Sequence, residues 1–185
     1  MSSNIWVVSD THFGHANILN FTDSKTGKKV RPGFGDVTEM NELMVQRWNE
    51  VVRPGDKVYH LGDVMFGDKD KFQTLWPRLM GSKRLIVGNH DDIKYLATGG
   101  FFQKIHMWRI FADQRIILSH VPLHDSSLER GAPGSGLKML NVHGHIHQNA
   151  SPKGPYFNAS VENTNYRPMH IDELVKIAKQ KLDDL

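Results

Sequence analysis

Five short apolar runs in this chain each stop at a cluster of Asp, Asn or His, and that recurrence constrains the fold more than any other feature. Ile5-Trp6-Val7-Val8 leads into Asp10-Thr11-His12, Val58-Tyr59-His60-Leu61 into Gly62-Asp63, and Leu85-Ile86-Val87 into Gly88-Asn89-His90-Asp91. Further on, Ile116-Ile117-Leu118 runs to His120, and Leu140-Asn141-Val142 to Gly144-His145-Ile146-His147. Runs that are continuously apolar, rather than alternating, belong to strands covered on both faces. Taken singly, each polar end is a turn in which Gly, Asn and Asp are at home anyway. Taken together, they read as the carboxyl ends of strands in a layered α/β sheet, where loops diverge and sites collect.

The segments between these runs supply the helices. Met40, Leu43, Met44, Trp48, Val51 and Val52 keep a helical period behind Thr38, a good N-cap, and Arg53-Pro54-Gly55-Asp56 stops it. Residues 69–80 form a second helix that Pro77 must bend or divide. Residues 103–110 and 114–119 are expected to pair as antiparallel strands, and 156–161 to add one more. Residues 172–182 form an amphipathic helix through Leu174, Val175, Ala178 and Leu182. The Gly-, Pro- and Lys-rich stretch 22–36 is a long loop or a small hairpin, and 122–136 is a second loop. No repeat or linker interrupts the 185 residues, so a single domain over 1–185 is expected.

Composition narrows the chemistry. The chain has no cysteine, which excludes disulfides, thiolate metal sites and a Cys nucleophile. No apolar run reaches membrane-spanning length and no basic leader precedes the first strand, so a cytoplasmic protein with no membrane association is expected. The net charge of +3 suits an anionic substrate and an ordinary solvated surface equally well. Lys25, Lys28, Lys29 and Arg31 form a basic cluster, read here as a solvated loop because no aromatic residues interleave with it. Gly131-Ala132-Pro133-Gly134-Ser135-Gly136-Leu137-Lys138 is not a phosphate loop, since Met139 stands where Ser or Thr must hold magnesium. It reads as a flap beside the site.

Eleven histidines are many for a neutral scaffold, and they are scattered rather than tag-like. The donors at the strand ends are carboxylates, an amide oxygen and imidazoles. That set fits Mn, Fe, Zn or Ni better than Cu(I) or an iron–sulfur cluster, with Mn the leading expectation. It is more ligation than one ion needs and about right for two. Asp10 with His12, and His145 with His147, are two apart, so each pair can face one way at an extended strand end.

The ordered series D-x-H, GD, GNHD, H and GHxH, from Asp10 to His147, resembles the signature of the calcineurin-like metallophosphoesterases. Ser9-Asp10-Thr11-His12-Phe13-Gly14-His15, Trp48-Asn49, Tyr59-His60-Leu61-Gly62-Asp63 and Asn165-Tyr166-Arg167-Pro168 are similar to a small stand-alone bacterial and phage branch of that family. The resemblance implies a four-layer α/β/β/α sandwich of two mixed sheets. It also implies two divalent ions, one held by Asp10, His12, Asp63 and His147, the other by Asp63, Asn89, His120 and His145. Asp63 would bridge them, and His90 would protonate the leaving group, with Asp91 or Asp63 orienting its ring. The implied reaction is attack on a phosphate ester by a hydroxide shared between the ions. The leading expectation is a phosphodiesterase for a nucleotide or nucleic-acid-derived substrate. A phosphomonoesterase or nucleotidase is the alternative, and a non-catalytic metal-binding scaffold the third reading. His15, His124 and Asn89 are candidates for contacting substrate, His60 and His143 for structural roles, and His106 and His170 for surface or core contacts. The sequence leaves the oligomeric state open.

Overall fold

Neighbouring side chains of β1 (Ile5–Val8) leave for opposite layers: Val7 joins a core shared with the second sheet, Val8 one shared with helices. β2 (Lys57–His60) and β3 (Ser82–Ile86) repeat the pattern, with Val58 and Leu85 on the helix side and Tyr59 and Ile86 on the other. Strand side chains alternate, so two apolar surroundings demand an unbroken apolar run. The computed structural model that shows this describes residues 4–130 and 137–183.

Helix α1 (Val37–Val51) turns Met40, Met44, Val45 and Trp48 inward. Its N-cap is Asp36 rather than the expected Thr38: the Asp36 carboxylate accepts from Glu39 N at 2.8 Å. Glu39 in turn accepts from Gly35 N at 2.7 Å, so an upstream acid satisfies the first turn before Thr38 can. Helix α2 (Lys69–Leu75) passes into a 3-10 turn, Trp76–Arg78, at Pro77, as the sequence predicts.

The expected antiparallel pair forms, but the first of its two runs also crosses between the sheets. The run 103–110 divides at Met107 into β4 (Lys104–His106), parallel to β3, and β5 (Trp108–Phe111), antiparallel to β6 (Ile116–Ser119). A short helix, α3 (Ile93–Thr98), precedes it, capped by Asp92. The chain closes with β7 (Leu140–His143), β8 (Tyr156–Asn158), the two-residue β9 (Met169–His170) and α4 (Ile171–Asp183). Sequence reading anticipates neither α3 nor β9. The 22–36 stretch contains a bridge between Thr22 and Lys29, so it is a small hairpin. The proposed flap lies largely outside the described residues.

The strand orders are β4-β3-β2-β1-β9 and β5-β6-β7-β8, both mixed. Val7, Leu61 and Ile86 meet Ile116, Leu118, Leu140 and Val142 between the sheets, and α4 adds Leu174, Ala178 and Leu182. α1 and α2 cover the far face of the first sheet, while Leu128, Met139 and Tyr156 shelter Ile117 on the second. This is the expected sandwich of two mixed α/β sheets. Among the described residues, no helix is long and apolar enough to cross a membrane. β1, β2 and β3 are parallel neighbours, as are β6 and β7, so the five marked strand ends come out side by side.

Candidate metal centre

Backbone pairing continues past the strands and carries the polar ends into register. Asp10 N donates to Gly62 O and His12 N to Asp63 O, both at 3.0 Å, and Gly144 N donates to His120 O at 2.8 Å. The motif glycines are required by close approach. A Cβ on Gly62 would lie 2.5 Å from Gly88 N, one on Gly88 would strike the Asp63 carboxylate, and one on Gly144 would strike Ser9 Oγ and the Asp10 carboxylate. Gly144→Ala must therefore displace Asp10 itself. We expect it to lower thermal stability by about 1–3 kcal/mol, as overpacking does, and to cut bound metal. Unchanged melting and metal content would refute that reading.

Asp10, His12, Asp63, His145 and His147 all have positive φ, between 47° and 70°. The expectation that the paired residues sit on extended backbone is therefore incorrect. Left-handed backbone costs a non-glycine residue roughly 1–3 kcal/mol when the surroundings impose it, and such strain clusters at functional sites. Its consequence is a division of labour. Asp10, His12 and His147 each offer a ligand atom within 4.8 Å of one another, and Asp63, His120 and His145 form a second such group. Neighbours His145 and His147 thus face different groups rather than the same way.

Asp63 stands between the groups, its Oδ2 3.6 Å from His12 Nε2 and 3.4 Å from His120 Nε2. Asn89 Oδ1 lies 2.8 Å from His120 Nε2 and 2.9 Å from His145 Nδ1, joining the second group. Both ring nitrogens of buried His12 lack a hydrogen-bond partner. Burial, reinforced by the Arg31 guanidinium, pushes this imidazole down to about 2, so it is neutral. An unpartnered, neutral, buried imidazole facing carboxylates is costly unless it ligates something. The donor set of carboxylates, imidazoles and an amide oxygen therefore fits divalent ions.

The ring tautomers point the same way. His120 Nδ1 donates to Leu61 O at 2.7 Å and His147 Nδ1 to Glu162 Oε1 at 3.0 Å, so in each ring it is Nε2 that is turned to the centre. Burial opposes the charge on both rings, but Asp63 and Glu162 outweigh it and hold their affinity for a proton above the ordinary value. Burial pushes Asp10 up, whereas His120 holds Asp63 well below the usual carboxylate range against its own burial.

Sequence reasoning missed the support beneath these ligands. Arg31, read as part of a solvated basic loop, is only 1% exposed. Its guanidinium donates to Asp10 O at 2.5 Å, Thr11 O at 2.9 Å and Glu162 Oε1 at 2.8 Å. Burial would raise the Glu162 carboxyl, but Arg31 and His147 hold it down at about 2. Ser160 Oγ donates to Asp10 Oδ2 at 2.9 Å. Nothing local in the sequence marks Glu162 or Ser160. Glu162→Gln should weaken metal binding about 10–100-fold, the usual effect of losing a ligand's own partner. Competition with a chromophoric chelator measures this, and wild-type affinity would contradict it.

The remaining candidates separate. His90 is exposed, its ring 5.9 Å from that of His12, and its backbone N–H donates to Asp63 Oδ1 at 2.9 Å. Asp91 directs its carboxylate at the amides of Gly88, Val64 and Asp63 rather than at the His90 ring. Its contacts clasp two ligand loops together, which corrects the expectation that it orients the ring. His15 stacks on Phe66 with centroids 4.4 Å apart, beside the first group. His124 instead caps the turn Asp125–Leu128, accepting from Ser126 N, and lines none of the three cavities that abut the ligands. His60 is fully buried: its Nδ1 accepts from Gly62 N, and its Nε2 donates to Thr11 Oγ1, which donates to Val64 O. His143 is likewise buried, between Gly144 O and Ser151 Oγ. His106 lies half-buried at the end of β4, and His170 meets the Trp6 ring edge-on.

Comparison with known proteins agrees with this geometry. The family model for calcineurin-like phosphoesterases matches residues 3–180. An uncharacterised protein of Methanocaldococcus jannaschii is 35% identical over 185 residues, covering 95% of this chain and 92% of that protein. The Gene 66 protein of Mycobacterium phage L5 is 36% identical over 92 residues, 48% of this chain and 40% of its own. The crystal structure of a protein of unknown function from Aquifex aeolicus superposes with a TM-score of 0.70 at 31% identity, covering 95% of this chain and all of that one.

Proposed function

The chain belongs to the calcineurin-like phosphoesterase family, and from that premise we propose that it is a phosphodiesterase using two divalent ions, Mn favoured over Fe, Zn or Ni. Asp10, His12, Asp63 and His147 would hold one ion, and Asp63, Asn89, His120 and His145 the other. The substrate would be a nucleotide or derived from nucleic acid. The observation that carries this reading is the meeting of two ligand groups across Asp63, with exposed His90 beside them. Bound divalent ions neutralise phosphate charge and lower the pKa of a shared water, which is what hydrolysis of an anionic ester needs.

The residues supply the rest. His12 is already neutral and needs to release no proton on ligation. Glu162 fixes the His147 ring, and Arg31 fixes both Glu162 and the backbone that carries Asp10 and His12. His90, free of the ligand groups and facing outward, gives the proton to the departing oxygen. Two cavities support a diester over a monoester. One of about 250 Å³ abuts His12, His147 and His90, and one of about 360 Å³ abuts Asn89 and His120 beside Met107, Trp108 and Val121. Each phosphate substituent then has a place.

With Mn-loaded protein, bis-p-nitrophenyl phosphate should give a higher kcat/KM than p-nitrophenyl phosphate. The reverse order would point to a phosphomonoesterase or nucleotidase. Inactivity on both with metal bound would leave the non-catalytic scaffold.

A further inference from the structure

The cavity beside His90 has walls that the hydrolytic reading does not use. His12 and His147 form its ligand side and His90 one flank; the other walls are His15, Ile18, Phe21 and Phe66. Phe21 is 50% exposed and Phe66 46%, although both are large apolar rings. Phe66 stacks on His15, Phe21 meets the same imidazole edge-on at 5.6 Å, and Phe66 stands 6.2 Å from the His90 ring.

The backbone that carries these rings is held. Phe66 N donates to Phe13 O at 2.9 Å beside the bridge between Phe13 and Met65, and Val30 N donates to Phe21 O at 2.9 Å. Two anchored loops thus present aromatic surface to water next to the proposed proton donor. Drug-sized ligands take about 300–1,000 Å³, so 250 Å³ suits a single planar group better than a whole substrate.

We propose that His15, Phe21 and Phe66 form a leaving-group subsite that takes an aromatic ring, either a nucleobase or an aryl group, of the ester whose oxygen His90 protonates. The inference rests on the phosphodiesterase reading and deepens it. Ring-on-ring contacts add about 0.5–1.5 kcal/mol beyond burial, or roughly 2–12-fold in affinity. A cavity that opens onto both the acid and the first ligand group would turn that affinity into orientation of the scissile bond.

Calorimetric titration of the Mn-loaded protein with benzylphosphonate and methylphosphonate tests this. The benzyl compound should bind about tenfold tighter, and Phe21→Ala with Phe66→Ala should bring the ratio toward one. Adenosine 5′-monophosphate against ribose 5-phosphate is the parallel arm. A base-dependent gain that disappears with the two rings identifies a nucleotide; a benzyl preference alone identifies an aryl ester. Equal binding of the two phosphonates, or a preference surviving in the double variant, would overturn the subsite. If neither phosphonate binds, the phosphoesterase reading fails as well, and the subsite with it.

Discussion

His90→Gln should retain its full complement of metal and lose about 10²–10⁴-fold in kcat, the usual contribution of a positioned general acid. The reason lies in what His90 touches. Only its backbone N–H meets a ligand, at Asp63 Oδ1, and a glutamine keeps that N–H. Its ring belongs to neither ligand group, so the ions should be indifferent to its loss. The deficit should also depend on the leaving group. An ester that departs as a stabilised anion needs little proton donation, so p-nitrophenyl substrates should suffer less than an alkyl ester. Wild-type turnover, or an equal deficit on both kinds of ester, would remove His90 from the acid role.

Asp63→Ala should do more. Asp63 Oδ2 faces both His12 and His120, and its Oδ1 accepts the His90 amide. Its loss would deprive both ion sites at once and release the His90 turn. Metal content should fall below one equivalent and kcat by roughly a thousandfold or more, since the ions' electrostatic stabilisation is worth several kcal/mol and each 1.4 kcal/mol is tenfold. Asp63→Asn keeps an oxygen for the His90 amide and controls for the turn. If it too loses metal while circular dichroism and melting stay near wild type, the loss is one of ligation. Two tightly bound ions in Asp63→Ala would contradict the bridging role.

The features legible in the sequence were those in which local chemistry and burial coincide. Val7-Val8 and Leu85-Ile86 are apolar because each faces two cores, and the Asp, Asn and His at their ends are conspicuous beside them. Arg31 was not legible. It sits in a Lys-rich stretch, and what buries it is a pair of backbone carbonyls about twenty residues upstream and a carboxylate 131 residues downstream. Glu162 is hidden for the same reason, since a lone acid beside Asn163 looks like surface. The division at Met107 has no local signal, because the pattern of apolar residues runs through the change of sheet without a break. The two-residue β9 is set by pairing with β1, which no local pattern encodes. The divergence of His145 and His147 depends on positive φ at both, a conformation that neither residue type announces.

Stepwise reloading of chelator-stripped protein with Mn, with bound metal and diester hydrolysis followed together, tests the dinuclear centre most directly. Two equivalents should bind, and hydrolysis of bis-p-nitrophenyl phosphate should rise steeply only as the second is taken up. Full activity in the stripped protein, or saturation of both binding and rate at a single equivalent, would contradict it.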